Sequence, residues 1–307
     1  MAGRGRAARL AHRVESLLRA RGVTVEVRPT HEPGDAGKLT RQTLALSLEQ
    51  RPRCIVVAGG DGTIQDVANV LAASPQPEVS ARPALGLVPA GRCNDFARAL
   101  RMPADPASIA EVLATGTPQA VDLGCVNGRY FCTVATAGID AQVSRFVDRL
   151  RMPLRGTPAY IYGALRVLVR FVPPRVRIEG DFGRIDKAVF LASTANTSSY
   201  GGAIEIAPGA DPTDGQLNLC IIEAMSRLRA LGLVVAVLAR RHSSWKQVSL
   251  LTARHLRIET DTPQEIWADG EKIAVTPATI HVAPAAIRVM RPRANASSQS
   301  PRFHAPG

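Results

Sequence analysis

Residues 54–73 read Cys-Ile-Val-Val-Ala-Gly-Gly-Asp-Gly-Thr-Ile-Gln-Asp-Val-Ala-Asn-Val-Leu-Ala-Ala. The β-branched run at 55–57 has the pattern of a buried strand, and Ile64, Val67, Ala68 and Leu71 recur at helical spacing. Between them Gly59, Gly60 and Gly62 break the chain. The order is strand, glycine loop, helix, which offers bare main-chain N–H groups and the positive end of a helix to an anion. A polyphosphate fits there. Thr63 is expected to cap the helix, with Asp66 three residues on as a weak capping box. Asp61 is not explained by helix initiation. A carboxylate beside phosphate is repelled unless a divalent cation or waters bridge the two, so Asp61 reads as a metal or water-network residue. The bland alternative is a glycine turn ahead of a helix.

Residues 59–63, Gly-Gly-Asp-Gly-Thr, resemble the nucleotide loop shared by diacylglycerol kinases and related lipid kinases, by NAD kinases and, more distantly, by phosphofructokinases. Residues 88–98, Val-Pro-Ala-Gly-Arg-Cys-Asn-Asp-Phe-Ala-Arg, are similar to the Pro-x-Gly-Thr-x-Asn-Asp-Phe-Ala segment of the diacylglycerol kinase catalytic-domain family. Val121-Asp122-Leu123-Gly124, Asp214-Gly215-Gln216-Leu217 and Asp269-Gly270-Glu271 then follow in the family's order. Together the matches span nearly the whole chain. Asn94-Asp95-Phe96, and the lack of the Asn-Glu motif that NAD kinases carry after the glycine loop, favour the lipid kinases over NAD kinase.

The resemblance implies an α/β N-terminal domain, three-layered and Rossmann-like, followed by an antiparallel β-sandwich. It also implies an ATP-dependent, Mg²⁺-requiring kinase acting on a membrane lipid, with diacylglycerol the first choice. On this reading ATP lies against Thr30, Gly59, Gly60, Asp61, Gly62, Thr63, Ile64, Gln65, Asp66 and Arg92. Asp61, Asp95 and Asp122 would form a metal and water network. Asp211, Asp214 and the Gln216 carbonyl would hold a second, structural Mg²⁺, a set of oxygen donors that suits this ion. Glu271 would take the acceptor's proton, with Asp269 beside it. Simpler readings exist for several of these. Asp95 can cap the helix after it, Asp122 can cap a turn, and residues 211–216 can be an Asp-Gly turn entering a strand. Arg92 stands where the family has threonine, either meeting a phosphate or solvated. Relatives open with a strand and an Asn-Pro-x-Ala-Gly-x-Gly turn, whereas this chain opens Met1-Ala2-Gly3-Arg4-Gly5, similar to the tail of that turn. Either the start lies upstream or a piece of the nucleotide site is lost, and a non-catalytic lipid-binding homologue is the rival in the second case.

The 307 residues suffice for two cores. A net charge of +12 predicts anionic partners: nucleotides, nucleic acid or an anionic membrane surface. Nucleic acid is the weakest of these, because the arginines are not interleaved with stacking aromatics along strands. Five scattered cysteines, with no Cys-x-x-Cys pair, suggest neither zinc nor disulfides and make a reduced, cytoplasmic compartment the default. The longest apolar run, 230–239, is short of the roughly 20 residues a bilayer span needs. A peripheral membrane visitor, monomer or homodimer, is the expectation.

In chain order the pattern predicts a helix at 7–21 stopped by Gly22, a strand at 23–28, a helix at 39–49, a strand at 84–88 and a short helix at 109–113. Loop 89–94 should share the carboxyl edge of the sheet with loop 59–63. A hinge at 116–118 closes a first domain at residue 118. Short strands at 121–125, 130–135, 176–179, 187–193, 217–222, 255–259, 280–283 and 287–290 then build a second domain, 119–293. Two helical insertions interrupt it. Residues 145–172 interleave arginines with apolar groups, as a bilayer-surface helix or an ordinary packed one would, and 227–240 reads as buried. The tail, 294–307, is expected to be disordered.

Overall fold

The computed structural model describes residues 2–74, 79–149, 157–202 and 204–293. The tail at 294–307 lies outside them. Helix α1 (Ala2–Ala20) takes in the residues that resemble the end of the family's opening turn, and Gly22 follows it with a left-handed φ of 76°. Helix α2 (Asp35–Leu44) starts and stops earlier than its pattern suggested, because the Asp35 carboxylate accepts the His31 and Glu32 N–H groups and so fixes the helix entry. Strands β1 (Cys54–Gly59) and β2 (Ala84–Pro89) pair in parallel, Cys54 opposite Ala84 through Gly59 opposite Pro89, with α3 (Asp61–Ala72) between them in the chain. Helices α4 (Asp95–Ala99) and α5 (Pro106–Thr115) follow, the latter capped by Asp105, whose side chain accepts the Ser108 N–H at 2.9 Å.

Two expectations fail in this half. The strand at 23–28 does not form: Val23 and Val25 rest on the α1–α5 cluster while Val27 is exposed, and β1 pairs only with β2. Alternation without a ladder partner leaves an extended segment. Helix α3 begins at Asp61 rather than after Thr63, with Gly60 as its N-cap and no side-chain cap, so the expected capping box of Thr63 and Asp66 is absent.

The chain continues through β3 (Thr117–Val126), β4 (Arg129–Phe131), β5 (Val134–Gly138), α6 (Ile139–Arg149), α7 (Thr157–Leu168), β6 (Arg175–Gly180) and β7 (Gly183–Ala195). A two-strand ribbon, β8 (Ser199–Tyr200) and β9 (Ile204–Glu205), precedes β10 (Leu217–Glu223) and α8 (Arg227–Leu238). The last strands are β11 (Val248–Ala253), β12 (His255–Thr260), β13 (Glu265–Ala268), β14 (Glu271–Val275) and β15 (Ala278–Arg291). The main path of neighbours runs β1-β2-β15-β12-β6-β7-β5-β13-β14, with β3 on β15 and β4 on β3, and with β10 on β7 and β11 on β10. Beyond β2 and β15 every pairing on it is antiparallel.

Alternation buries Val176, Ile178, Leu256, Ile258, Ile280 and Val282 with Leu217, Leu219 and Ile221 in a sandwich core. The first core holds Ile64, Leu71, Leu85, Leu87 and Phe96, but also Val121, Leu123, Ile287 and Val289 from β3 and β15. The C-terminal strand therefore returns to the first layer, meeting β2 in parallel at Val289 opposite Leu85. The pieces expected at 280–283 and 287–290 are one strand, bulged between Ala283 and Ile287. The run at 227–240 is not buried: Ala230 and Leu233 face the core, whereas Leu228 is 81% and Val235 63% exposed.

Asn69 of α3 stitches the halves together. Its Nδ2 donates to the Tyr130 carbonyl at 2.8 Å, and its Oδ1 accepts the Tyr130 N–H at 2.9 Å. Asn69→Ala leaves the Tyr130 N–H without this partner and its carbonyl with only Gln65 Nε2, at 3.5 Å, and should cost about 2 kcal/mol, a fall of several degrees in Tm by thermal-shift assay.

Candidate active site

Two glycine loops cross at the carboxyl ends of β1 and β2. A Cβ on Gly91 would lie 2.4 Å from the Gly60 Cα, so only bare backbone allows the approach. Asn94, in the left-handed region at φ 52°, locks the second loop: its Oδ1 accepts the Gly91 N–H at 2.8 Å and its Nδ2 donates to the Gly91 carbonyl at 3.1 Å. The Ala90 N–H donates to the Gly59 carbonyl at 3.0 Å, continuing the β1–β2 ladder into the loops. Phe96, fully buried, anchors α4 beneath them.

Three carboxylates gather beside this crossing. Asp61, at the first turn of α3, accepts the Phe96 N–H at 3.3 Å, so the residue that sequence pattern left unexplained also supports α4. Its pKa is raised by burial, against hydrogen bonds from the main chain of residues 94–96. Asp95 is buried and pushed up to about 6, first by burial and then by the Asp61 charge. It accepts the Gly202 N–H at 3.1 Å and pairs with Arg98. Asp95 is the first residue of α4 and Asn94 its N-cap, so the expected cap role of Asp95 does not hold. Asp269 reaches in from the β13–β14 turn, where it has a positive φ of 52°. It accepts the Cys132 N–H at 2.6 Å, the Thr133 N–H at 2.9 Å and the Thr133 hydroxyl, and burial raises it to about 6, with Asp61 adding to the shift.

Asp122 does not join this group. One oxygen accepts the Ala285 N–H and the other the Gly215 N–H, both at 2.7 Å, so its carboxylate is used to hold the β15 bulge and loop 211–216 together. Within that loop Asp211 Oδ1 accepts the Thr213 N–H at 3.0 Å, and Asp214 Oδ1 the Gln216 N–H at 2.9 Å. The Asp214 pKa is raised by burial and then by Asp211 and Asp122. Among the described residues no three acidic, histidine or cysteine side chains stand in metal-binding array.

Glu271 is exposed and faces the Arg129 guanidinium at 3.9 Å. Both line a cavity of about 240 Å³ with Arg41, Gln65, Asp66 and Asn69. Gln65 is 3% exposed, and its Oε1 has no partner. Ile64 is sealed in the core, so its side chain cannot meet a nucleotide. Thr30 and Arg92 are both exposed, Thr30 in the extended segment after α1. Arg41 and Arg129 escaped the sequence reading because each is one arginine among many, and only the packing of α2 on α3 and of α3 on β4 brings them to one cavity.

The fold joins an α/β half, bearing the two crossed glycine loops, to a β-sandwich half. The pattern of the diacylglycerol kinase catalytic domain matches residues 1–126, and that of the YegS C-terminal NAD kinase beta sandwich-like domain matches residues 133–291. The chain is 33% identical over 301 residues to a diacylglycerol kinase of Mycobacterium tuberculosis, covering 95% of this chain and 93% of the relative. It is 29% identical over 243 residues to a diacylglycerol kinase of Bacillus subtilis, covering 79% and 78%. A solved structure from Bacillus anthracis superposes with a TM-score of 0.74 at 23% identity, covering 95% of this chain and 94% of that one. This chain belongs to the family of diacylglycerol kinases and YegS-like lipid kinases.

The raised carboxyls carry a pH signature. Asp95 and Asp269 bind protons more tightly folded than unfolded, so their contribution to stability is complete below the unfolded value near 3.8 and is lost as pH rises through about 6. The ligand-free protein should lose Tm between pH 4 and 6 from these groups, and Asp95→Asn should flatten that slope in a pH series of thermal melts.

Proposed function

We propose that this kinase transfers the γ-phosphate of ATP to the hydroxyl of a membrane lipid, diacylglycerol in the first instance, giving phosphatidate. The observation that carries the reading is the convergence of Asp61, Asp95 and Asp269 on the crossing of the two glycine loops, with Glu271 two residues from Asp269. Main-chain N–H groups of residues 59–63 would cradle the phosphates at the start of α3. The acceptor oxygen attacks the γ-phosphorus, the bond to the β–γ bridging oxygen breaks, ADP leaves, and the acceptor proton passes to Glu271. Glu271 thus orients the alcohol and removes its proton.

Mg²⁺ would suit the oxygen donors at both acidic groups: burial first, and neighbouring acids after it, raise Asp95 and Asp214, and a cation would relieve the like-charge part. Asp61 and Asp95 would hold one ion through water, and Asp211, Asp214 and the Gln216 carbonyl the second. The ion held by Asp61 and Asp95 would supply charge neutralisation at the transferring phosphoryl. Arg41 and Arg129 add positive charge to the cavity that Glu271 lines.

A peripheral membrane position is supported by helices α7 and α8. No helix among the described residues is long and apolar enough to cross a membrane. Leu165 and Val169 of the α7 region, with Leu228 and Val235 of α8, are exposed beside Arg166, Arg170, Arg227 and Arg229. Exposed aliphatics among arginines match an anionic bilayer surface.

Incubation with γ-labelled ATP, Mg²⁺ and a total lipid extract should put label into a chloroform-extractable product. NAD offered alongside should take none, and absence of labelled lipid overturns the reading. Glu271→Gln should lower kcat by about 10²–10⁴-fold with ATP binding retained. Leu228→Glu with Val235→Glu should weaken binding to anionic vesicles at least tenfold in a flotation assay.

A further inference from the structure

Gly202, at the tip of the β8–β9 ribbon, is held by the acidic site through both its N–H and its carbonyl. The N–H lies 3.3 and 3.1 Å from the two oxygens of Asp95, and the carbonyl accepts from Arg98, which itself pairs with Asp95. A donor shared by both oxygens fixes the plane of the carboxylate, because a turn about the Cβ–Cγ bond loses it. Gly201 and Gly202 both have positive φ, 63° and 95°. Glycine takes up such angles freely and leaves them as freely. The direction of the Gly202 N–H is therefore set from outside the tip.

Tyr200 supplies that direction. Its hydroxyl donates to Asp140 Oδ1 at 2.8 Å, and the Thr136 hydroxyl donates to Asp140 Oδ2 at 2.9 Å. Asp140 lies in the first turn of α6 and Thr136 in β5, and both are buried. Tyr200 packs against an apolar cluster that includes Val134, Phe190, Leu191 and Ile206. As scaffolding the trio is a poor choice, because desolvating a carboxyl costs free energy that apolar side chains of similar size would not. What its hydrogen bonds add is orientation. Thr133, three residues before Thr136, grips Asp269 through its N–H and its hydroxyl. Residues 133–136 are thus the common origin for Asp269 and, by way of Asp140, Tyr200 and Gly202, for Asp95.

We infer that Tyr200 is a positioning residue for Asp95: with Asp140 it forms a strut that holds the Gly202 amide on the carboxylate, and so sets the place where Asp95 and Asp61 take a divalent cation. The inference rests on the reading of these two acids as cation donors given above. In this role Tyr200 touches neither the nucleotide nor the acceptor, and its loss is felt through the cation alone.

The test measures cation binding directly. Mn²⁺, a paramagnetic probe in place of Mg²⁺, is titrated into the full chain with a non-hydrolysable ATP analogue, and free Mn²⁺ is read by electron paramagnetic resonance. The binding event lost in Asp95→Asn is the one assigned to Asp61 and Asp95. Tyr200→Phe, which deletes one hydroxyl, should weaken that event about tenfold. It should raise the Mg²⁺ concentration for half-maximal lipid phosphorylation by the same factor, recover wild-type kcat at saturating Mg²⁺ and leave the acceptor KM within twofold. Asp140→Ala should behave likewise, whereas Asp140→Asn, which keeps an acceptor for the Tyr200 hydroxyl, should retain wild-type cation affinity. Unchanged Mn²⁺ affinity in Tyr200→Phe, or a kcat that stays low at saturating Mg²⁺, overturns the inference. If no Mn²⁺ event in the wild type depends on Asp95, the cation reading fails and this inference with it, while labelled lipid formed by the wild type leaves the kinase reading standing.

Discussion

The contact between Gly60 and Gly91 is the constraint on which the rest depends. Two strands can deliver two loops to one sheet edge, but the loops touch backbone to backbone only where neither carries a side chain. That contact sets where Asp61 begins α3 and where Asn94 turns the chain into α4, and it leaves both carboxylates of Asp61 and Asp95 on the same small region. Phe96 then holds the arrangement from below through its burial in the first core. Removing that ring would cost roughly 3–5 kcal/mol, comparable to a large part of a domain's net stability. The electrostatic strain of the clustered acids is thus sustained by packing that lies beneath them.

The glycine loop, the Asn-Asp-Phe segment and Asp269-Gly270-Glu271 were legible because each rests on local backbone needs: bare amides, a left-handed Asn, a tight turn. The strands of the second half were legible for the same kind of reason, since alternation survives as long as one face is buried. What escaped depends on partners far away in the chain. Asp122 looks like any acid after a strand, and only the folded chain shows both its oxygens turned to Ala285 and Gly215. Asn69 has no sequence signal as a clamp, because its partner is the backbone of Tyr130. Helix α8 misled in the other direction. Its continuous apolar run suggests burial, yet only one narrow face meets the core, and uniform hydrophobicity cannot tell a buried helix from one with an apolar face open to a non-aqueous neighbour.

The site is assembled from every part of the chain. The glycine loops come from β1 and β2, Asp269 and Glu271 from the β13–β14 turn, and Gly202 from the β8–β9 ribbon, which is separate from the main sheet. Asp269 stays in place because three donors from residues 132 and 133 grip it, which ties the turn to β4 and β5. The clustered acids are therefore positioned by the second half as much as by the first.

Strand β15 carries a mechanical consequence. It is shared by both cores, running from the sandwich at Ile280 to the first layer at Val289, and its partner β3 does the same from Val126 to Val121, so the two halves are joined by a pair of continuous strands. The ladder between the two strands is interrupted once, at the bulge between Ala283 and Ile287. Asp122 grips the bulge at Ala285 with one oxygen and loop 211–216 with the other, so a single carboxylate ties the irregular point of this strand pair to a loop far along the chain.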